Sequence, residues 1–131
     1  MGASQYMQKA LLDWTLGGAT PTRPSLHYVG LAQGTPSSIS GSECTISNYA
    51  RQAVSFGPAG TPSGSATAIN TAAFTFSVKA AGTVIGIQVW DTNLASNSGN
   101  MLAFGLLSAT SVLASGDTLA FASGALSISL S

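Results

Sequence analysis

The chain holds one histidine, His27, and one cysteine, Cys44, the only residues that could form a nucleophile and base of the thiol type. Such a thiol needs a neighbour that lowers its pKa, and Glu43, next in sequence, would raise it instead. Cys44 therefore reads as inert, and His27, set between Leu26 and Tyr28 in an alternating stretch, reads as structural. Zinc needs several Cys and His ligands, and one of each is too few. The four carboxylates, Asp13, Glu43, Asp91 and Asp117, are at least 26 residues apart, which rules out the closely spaced Asp ligands of a calcium loop. No Gly-x-Ser-x-Gly elbow occurs, and no Gly-rich phosphate loop followed by Lys-Ser or Lys-Thr. Two carboxylates brought together by the fold could still hydrolyse a glycosidic bond, which spacing alone leaves open. The expectation is a protein that is not an enzyme and has no catalytic residues, cofactor or metal.

The scarcity of chemistry follows from a scarcity of charge. Of 131 residues, 45% are hydrophobic but only 6% are charged, against about 25% in an ordinary soluble chain. Lys9, Arg23, Arg51 and Lys79 balance the four carboxylates to a net charge of zero. With so few ionised groups, salt bridges are not expected to be a main source of stability. A monomer of this mass exposes roughly 6,400 Å², so each charge would serve on the order of 800 Å², which is about what one partner contributes to a typical interface. Without net charge, nothing repels one copy from another. An exterior covered by neighbours in an assembly removes that problem; a surface made polar by Ser, Thr, Asn and Gly is the other solution.

Four scattered cations make no patch for phosphates, so nucleic acid is not an expected partner. No run approaches the ~18 apolar residues of a spanning helix, so neither is a membrane. The start, Met1-Gly2-Ala3-Ser4-Gln5-Tyr6, lacks a basic region followed by an apolar stretch, and the expected place of synthesis is a cytoplasm, where a single cysteine is also at home.

What positions these residues is mainly β structure. The one helical pattern is at the start, where Met7, Ala10, Leu11 and Trp14 share a face, with Ser4 as N-cap and Gly17-Gly18 as stop. That face should bury Leu11 and Trp14 either on the chain's own sheet or on a neighbouring subunit. From Pro21 onward, short period-two stretches alternate with Gly, Pro, Ser and Asn clusters. Strands are predicted near Leu26–Ala32, Tyr49–Phe56, Ala73–Val78, Thr83–Asp91, Met101–Leu107, Thr118–Ala122 and Leu126–Leu130. Turns are predicted at Gly57-Pro58, Gly60-Thr61-Pro62, Asn97-Ser98-Gly99-Asn100, Ser115-Gly116-Asp117 and Ser123-Gly124.

The fold class is therefore mainly β, an antiparallel β-sandwich or barrel-like domain with one N-terminal α-helix. A single β-rich domain fills residues 1–131, with 1–20 as a helical arm and 21–131 as the β domain. Gly34–Asn48 and Gly57–Asn70 look like long loops, either contact arms or ordinary surface loops. Trp90 falls on the face opposite Ile85, Ile87 and Val89, where it could be a subunit contact, a sugar-stacking platform or a second-core or rim residue. The contact candidates are Tyr6, Leu11, Trp14, the two loops and Trp90.

Several segments resemble a family of small structural proteins of tailed phages and prophages. They are Ala10-Leu11-Leu12-Asp13-Trp14, Leu26 to Leu31, Tyr49 to Phe56, Gly82 to Ile87 with Asp91, Leu102 to Leu107, Ala114 to Leu119, and Ala125 to Leu130. The resemblance spans nearly the whole chain and brings no catalytic residue with it; the chain departs from the pattern in the two long loops. It implies a virion structural protein made in the bacterial cytoplasm. The first expectation is a capsid cement or decoration protein on the capsid surface, bound to the major capsid protein, self-associating or seated at a symmetry axis. The alternative is a tail or tail-fibre component, with host-glycan binding as one possible role.

Overall fold

The computed structural model describes residues 1–40, 42–62, 64–95 and 99–130. Its elements run β1 (Gly2–Ala3), α1 (Gln5–Leu16), β2 (His27–Ala32), β3 (Gln52–Val54), β4 (Ala66–Ile69), β5 (Phe74–Ser77), β6 (Gly82–Trp90), β7 (Met101–Leu113), β8 (Thr118–Phe121) and β9 (Ser127–Leu130). The chain is mainly β, antiparallel and sandwich-like, with an N-terminal helix, as expected from the period-two stretches.

A five-stranded sheet in the order β1-β7-β6-β2-β3 forms one layer. Its inner face follows from register: Val29 pairs with Val89, Leu31 with Ile87, and Val89 in turn with Ala103, so these side chains point the same way. Across from them, β5 pairs with β8 and β4 with β9. These are two halves of one ribbon bent at Asn70, a fully buried residue whose amide group donates to the Ala72 and Ala122 carbonyls and accepts from the Leu126 N–H. Gly124, in the turn between β8 and β9, takes the left-handed conformation at φ 80°. Phe74, Phe76 and Phe121 pack edge-on and stacked between the layers.

Four expectations need correction. The segment Gly57–Asn70 is not all loop, since β4 lies inside it; strand β4 is only four residues of Ala, Thr and Ile, too short and too weakly apolar for its alternation to stand out. The inner face of β6 is Val84, Ile87 and Val89 and not Ile85, because a bulge between Val84 and Gly86 switches the alternation. Cys44, inside the expected long loop Gly34–Asn48, is held in the core. Its N–H donates to the Leu31 carbonyl and its side chain is 3% exposed in the core. Strand β7 also runs six residues past the expected end, to Leu113. In the expected turn at Asn97-Ser98-Gly99-Asn100, the first two residues lie outside the described residues, and Gly99 has φ 81°.

Candidate interaction surface

The surface begins with the cap of α1. Ser4 Oγ accepts from the Met7 N–H at 3.1 Å, and the same hydroxyl donates to the Met101 carbonyl. Ser4 N–H bonds the Leu102 carbonyl and Gln5 N–H the Ser38 carbonyl, both at 2.9 Å. The first turn of α1 is thus bolted to β7 and to the 36–40 segment, and satisfies donors that a helix start leaves open. At the other end Gly17, at φ 79°, stops the helix.

Beyond that anchor the helix leaves the body. It has no fully buried residue, and its apolar side chains become more exposed along its length: Tyr6 40%, Leu11 38%, Leu12 60%, Trp14 67%, Leu16 77%. The expected burial of Leu11 and Trp14 on the chain's own sheet does not occur. Lys9 and Asp13, one turn apart, pair with each other, leaving the helix without net charge. The whole chain exposes 7128 Å², about a tenth above the scaling for a compact monomer of its size. A projecting helix accounts for an excess of that kind.

Beside α1 runs an apolar groove. Its first section, about 410 Å³, is bounded by Tyr6, Leu11, Trp14, Pro21, Pro24 and Leu102. A second section of about 520 Å³ continues between the main sheet and the β4–β9 ribbon, past Leu26, Phe56, Ala68, Ile128 and Leu130. Met7, Arg23, His27 and Leu102 line both. His27 packs edge-on against Phe56, with ring centroids 6.4 Å apart. Burial, then the Arg23 charge, hold its pKa below the ordinary value, with Asp91 pulling the other way.

Trp90, grouped with the contact candidates from sequence, is 3% exposed, and an interface residue must be reachable, so the contact and sugar-platform readings of it fall away. Alternation did put it on the sheet face opposite Val89; that face is covered too. The Arg51 guanidinium lies 4.0 Å over the indole, whose N–H donates to Gln88 Oε1 at 3.0 Å. Arg51 forms a bidentate pair with Glu43, Nε to Oε2 and Nη2 to Oε1, each 2.7 Å, with both side chains fully buried. Its Nη1 donates to the Thr92 carbonyl at 2.8 Å. The Tyr49 hydroxyl donates to Glu43 Oε2 at 2.7 Å and accepts from the Leu31 N–H at 3.1 Å. Burial and that carboxylate push the Tyr49 phenol far above its usual pKa.

Sequence reasoning missed this cluster. Its one signal was the isolated Glu43 and Arg51 in otherwise neutral surroundings, eight residues apart on either side of Tyr49. Around Cys44, burial chiefly raises the thiol pKa; a bond from the Ile46 N–H opposes it and Glu43 adds to it. The arrangement can hold the sheet end rigid, but it places no base beside the thiol among the described contacts. The accessible surfaces include α1 with Tyr6, Leu11 and Trp14, the groove beside it, and a cavity of about 580 Å³ lined by Tyr6, Lys9, Ile39, Trp90 and Asn100.

In comparison with known families, residues 2–129 match the model described as Podophage GP4 fiber I protein gp80. No curated protein matches the chain.

Proposed function

Because this chain belongs to the Podophage GP4 fiber I protein gp80 family of phage structural proteins, we propose that it is a non-enzymatic subunit of a phage fibre, working through protein contacts. The observation that carries the reading is the projecting α1, whose Leu12, Trp14 and Leu16 stay more than half exposed on an otherwise charge-poor exterior. Exposed apolar patches of that kind mark association sites. An uncharged exterior suits a subunit held between neighbours, because each unpaired charge trapped in a contact would cost several kcal/mol.

The fibre reading takes precedence over capsid cement. The family is described as a fibre protein, and the major capsid protein as partner and the capsid surface as location belong to the cement alternative. Host-glycan binding loses its main sequence support, since Trp90 is 3% exposed and the Arg51 guanidinium lies over its ring. Labelling purified particles with an antibody to this chain tests the assignment. Label confined to the tail and its appendages is the expected result, with few copies per particle by mass spectrometry. Label spread evenly over the shell would return the protein to the cement class.

A further inference from the structure

The outer half of α1 is apolar over more than one face. At about 100° per residue, Leu11, Leu12, Trp14 and Leu16 spread over roughly 200° of the helix circumference, and Leu12, Trp14 and Leu16 are 60–77% exposed. A helix lying on a flat partner needs only a stripe; one apolar over most of its circumference is built to be surrounded. A helix of twelve residues is also marginal without packing. The occupant of such a tip must therefore be a concave apolar site.

The chain itself carries one. The groove section between the main sheet and the β4–β9 ribbon, about 520 Å³, lies open beside Leu26, Ala68 and Leu130. Its own helix borders the neighbouring section without filling it, since Trp14 stays 67% exposed there. We propose that the α1 tip of one copy docks in this groove of a second copy of the chain.

Charge and area both favour that occupant. The tip is neutral because Lys9 and Asp13 pair, and among the described residues the only permanently charged one lining the second groove section is Arg23, at its rim, where a guanidinium can meet an incoming indole face. Neither surface carries charge that would select a charged partner, and copies of a chain with zero net charge do not repel one another. The exposed apolar side chains of α1 amount to on the order of 400 Å². That is close to the non-polar share of one side of a standard interface, about 57% of some 800 Å².

Tip and groove are different surfaces, so the contact is head to tail. Every docked copy still offers one groove or one tip, and the contact repeats into a filament or closes into a ring. This deepens the fibre reading and rests on it for its setting, but the two fail separately. Particle labelling tests the location, whereas the mass of the purified chain tests the contact.

The experiment uses the full chain in light scattering and sedimentation velocity across a concentration series. A tip variant, Trp14→Ser with Leu16→Asp, is compared with a groove variant, Ala68→Glu. Leu26→Glu stands in as the groove variant if circular dichroism shows that Ala68→Glu does not fold. Wild type should give masses that climb with concentration, and each variant alone should associate at least about tenfold more weakly, the effect of losing one interface anchor. An equimolar mixture of tip and groove variants should form a dimer and stop there, since one intact tip meets one intact groove. A wild type that stays monomeric at every concentration overturns the proposal. So does a mixture that remains monomeric while wild type associates; so do groove variants that assemble like wild type, which would mean helix meets helix.

Discussion

Trp90 and Trp14 lie at opposite extremes, 3% and 67% exposed, and the regions around them invert the ordinary arrangement of a soluble protein. Around Trp90 the chain has buried two of its eight charged side chains, Glu43 and Arg51, with Tyr49 and Gln88. At the α1 tip it exposes a tryptophan and three leucines. The buried cluster is held by directional bonds, and every buried side-chain polar atom among the described residues has a partner. Such a site has one arrangement, because a half-satisfied one is costly. Beyond its first turn, the side-chain bond that α1 makes among the described residues is the exposed Lys9–Asp13 pair. One region fixes the sheet end and the other keeps its apolar surface available, and a chain with only eight charged side chains holds two of them inside.

The comparison breaks most visibly at Arg51. Arg51→Met leaves Glu43 as a buried carboxylate without its bidentate partner and should cost about 3–5 kcal/mol in urea unfolding. The double variant Glu43→Leu with Arg51→Met should cost less than the single one, because it removes both charges at once. If the double is as damaging as the single, the pair is not coupled as the geometry requires. Trp90→Ala belongs to the same class, at about 3–5 kcal/mol.

Gly30 probes the same cluster more gently. A Cβ there would sit 2.7 Å from the Tyr49 hydroxyl, 2.9 Å from Gln88 Oε1 and 3.1 Å from Glu43 Oε2. Gly30→Ala should therefore destabilise by about 1–3 kcal/mol through crowding, read as a shift in the urea midpoint at unchanged slope.

These residues also show what the sequence could and could not disclose. Alternation in Phe74, Phe76 and Val78 and in Ile87 and Val89 marks the core because large apolar side chains stand at every second position. Ser4 and Gly17 marked the ends of α1 because capping is a local matter. The Glu43–Arg51 pair was invisible, since it joins residues whose meeting depends on the 42–44 segment pairing beside β2. Ile85 was assigned to the wrong face because a bulge is a property of two strands together. Tyr6, Leu11 and Trp14 stand out by type and spacing, but their exposure depends on how α1 leaves β1, which no helical period encodes.

At the tip the expected stability effect is small. Trp14→Ser should change the unfolding free energy of the dispersed monomer by no more than about 0.5 kcal/mol, as for surface positions generally. The contrast with Trp90→Ala, measured under identical conditions, is the sharpest statement of the difference between the two regions. A Trp14→Ser variant that unfolds as readily as Trp90→Ala would place α1 in the folding core.

The smallest effect concerns His27, which sits in the groove between the two regions. Its folded pKa is lowered, first by burial and then by Arg23, against the pull of Asp91. As pH falls, the unfolded chain takes up this proton first, so the folded state is penalised. The His27 contribution to stability is then present in full above the unfolded value of 6.5, and is lost as pH falls from there through the lower folded value. A modest drop in melting temperature between about pH 7 and pH 5 should shrink in His27→Gln, whose side chain does not titrate. Docking at the groove would bury His27 further, so association should also weaken as pH falls. Sedimentation of wild type and His27→Gln at the two pH values separates them: a wild-type association constant that ignores pH would mean that the contact lies away from His27.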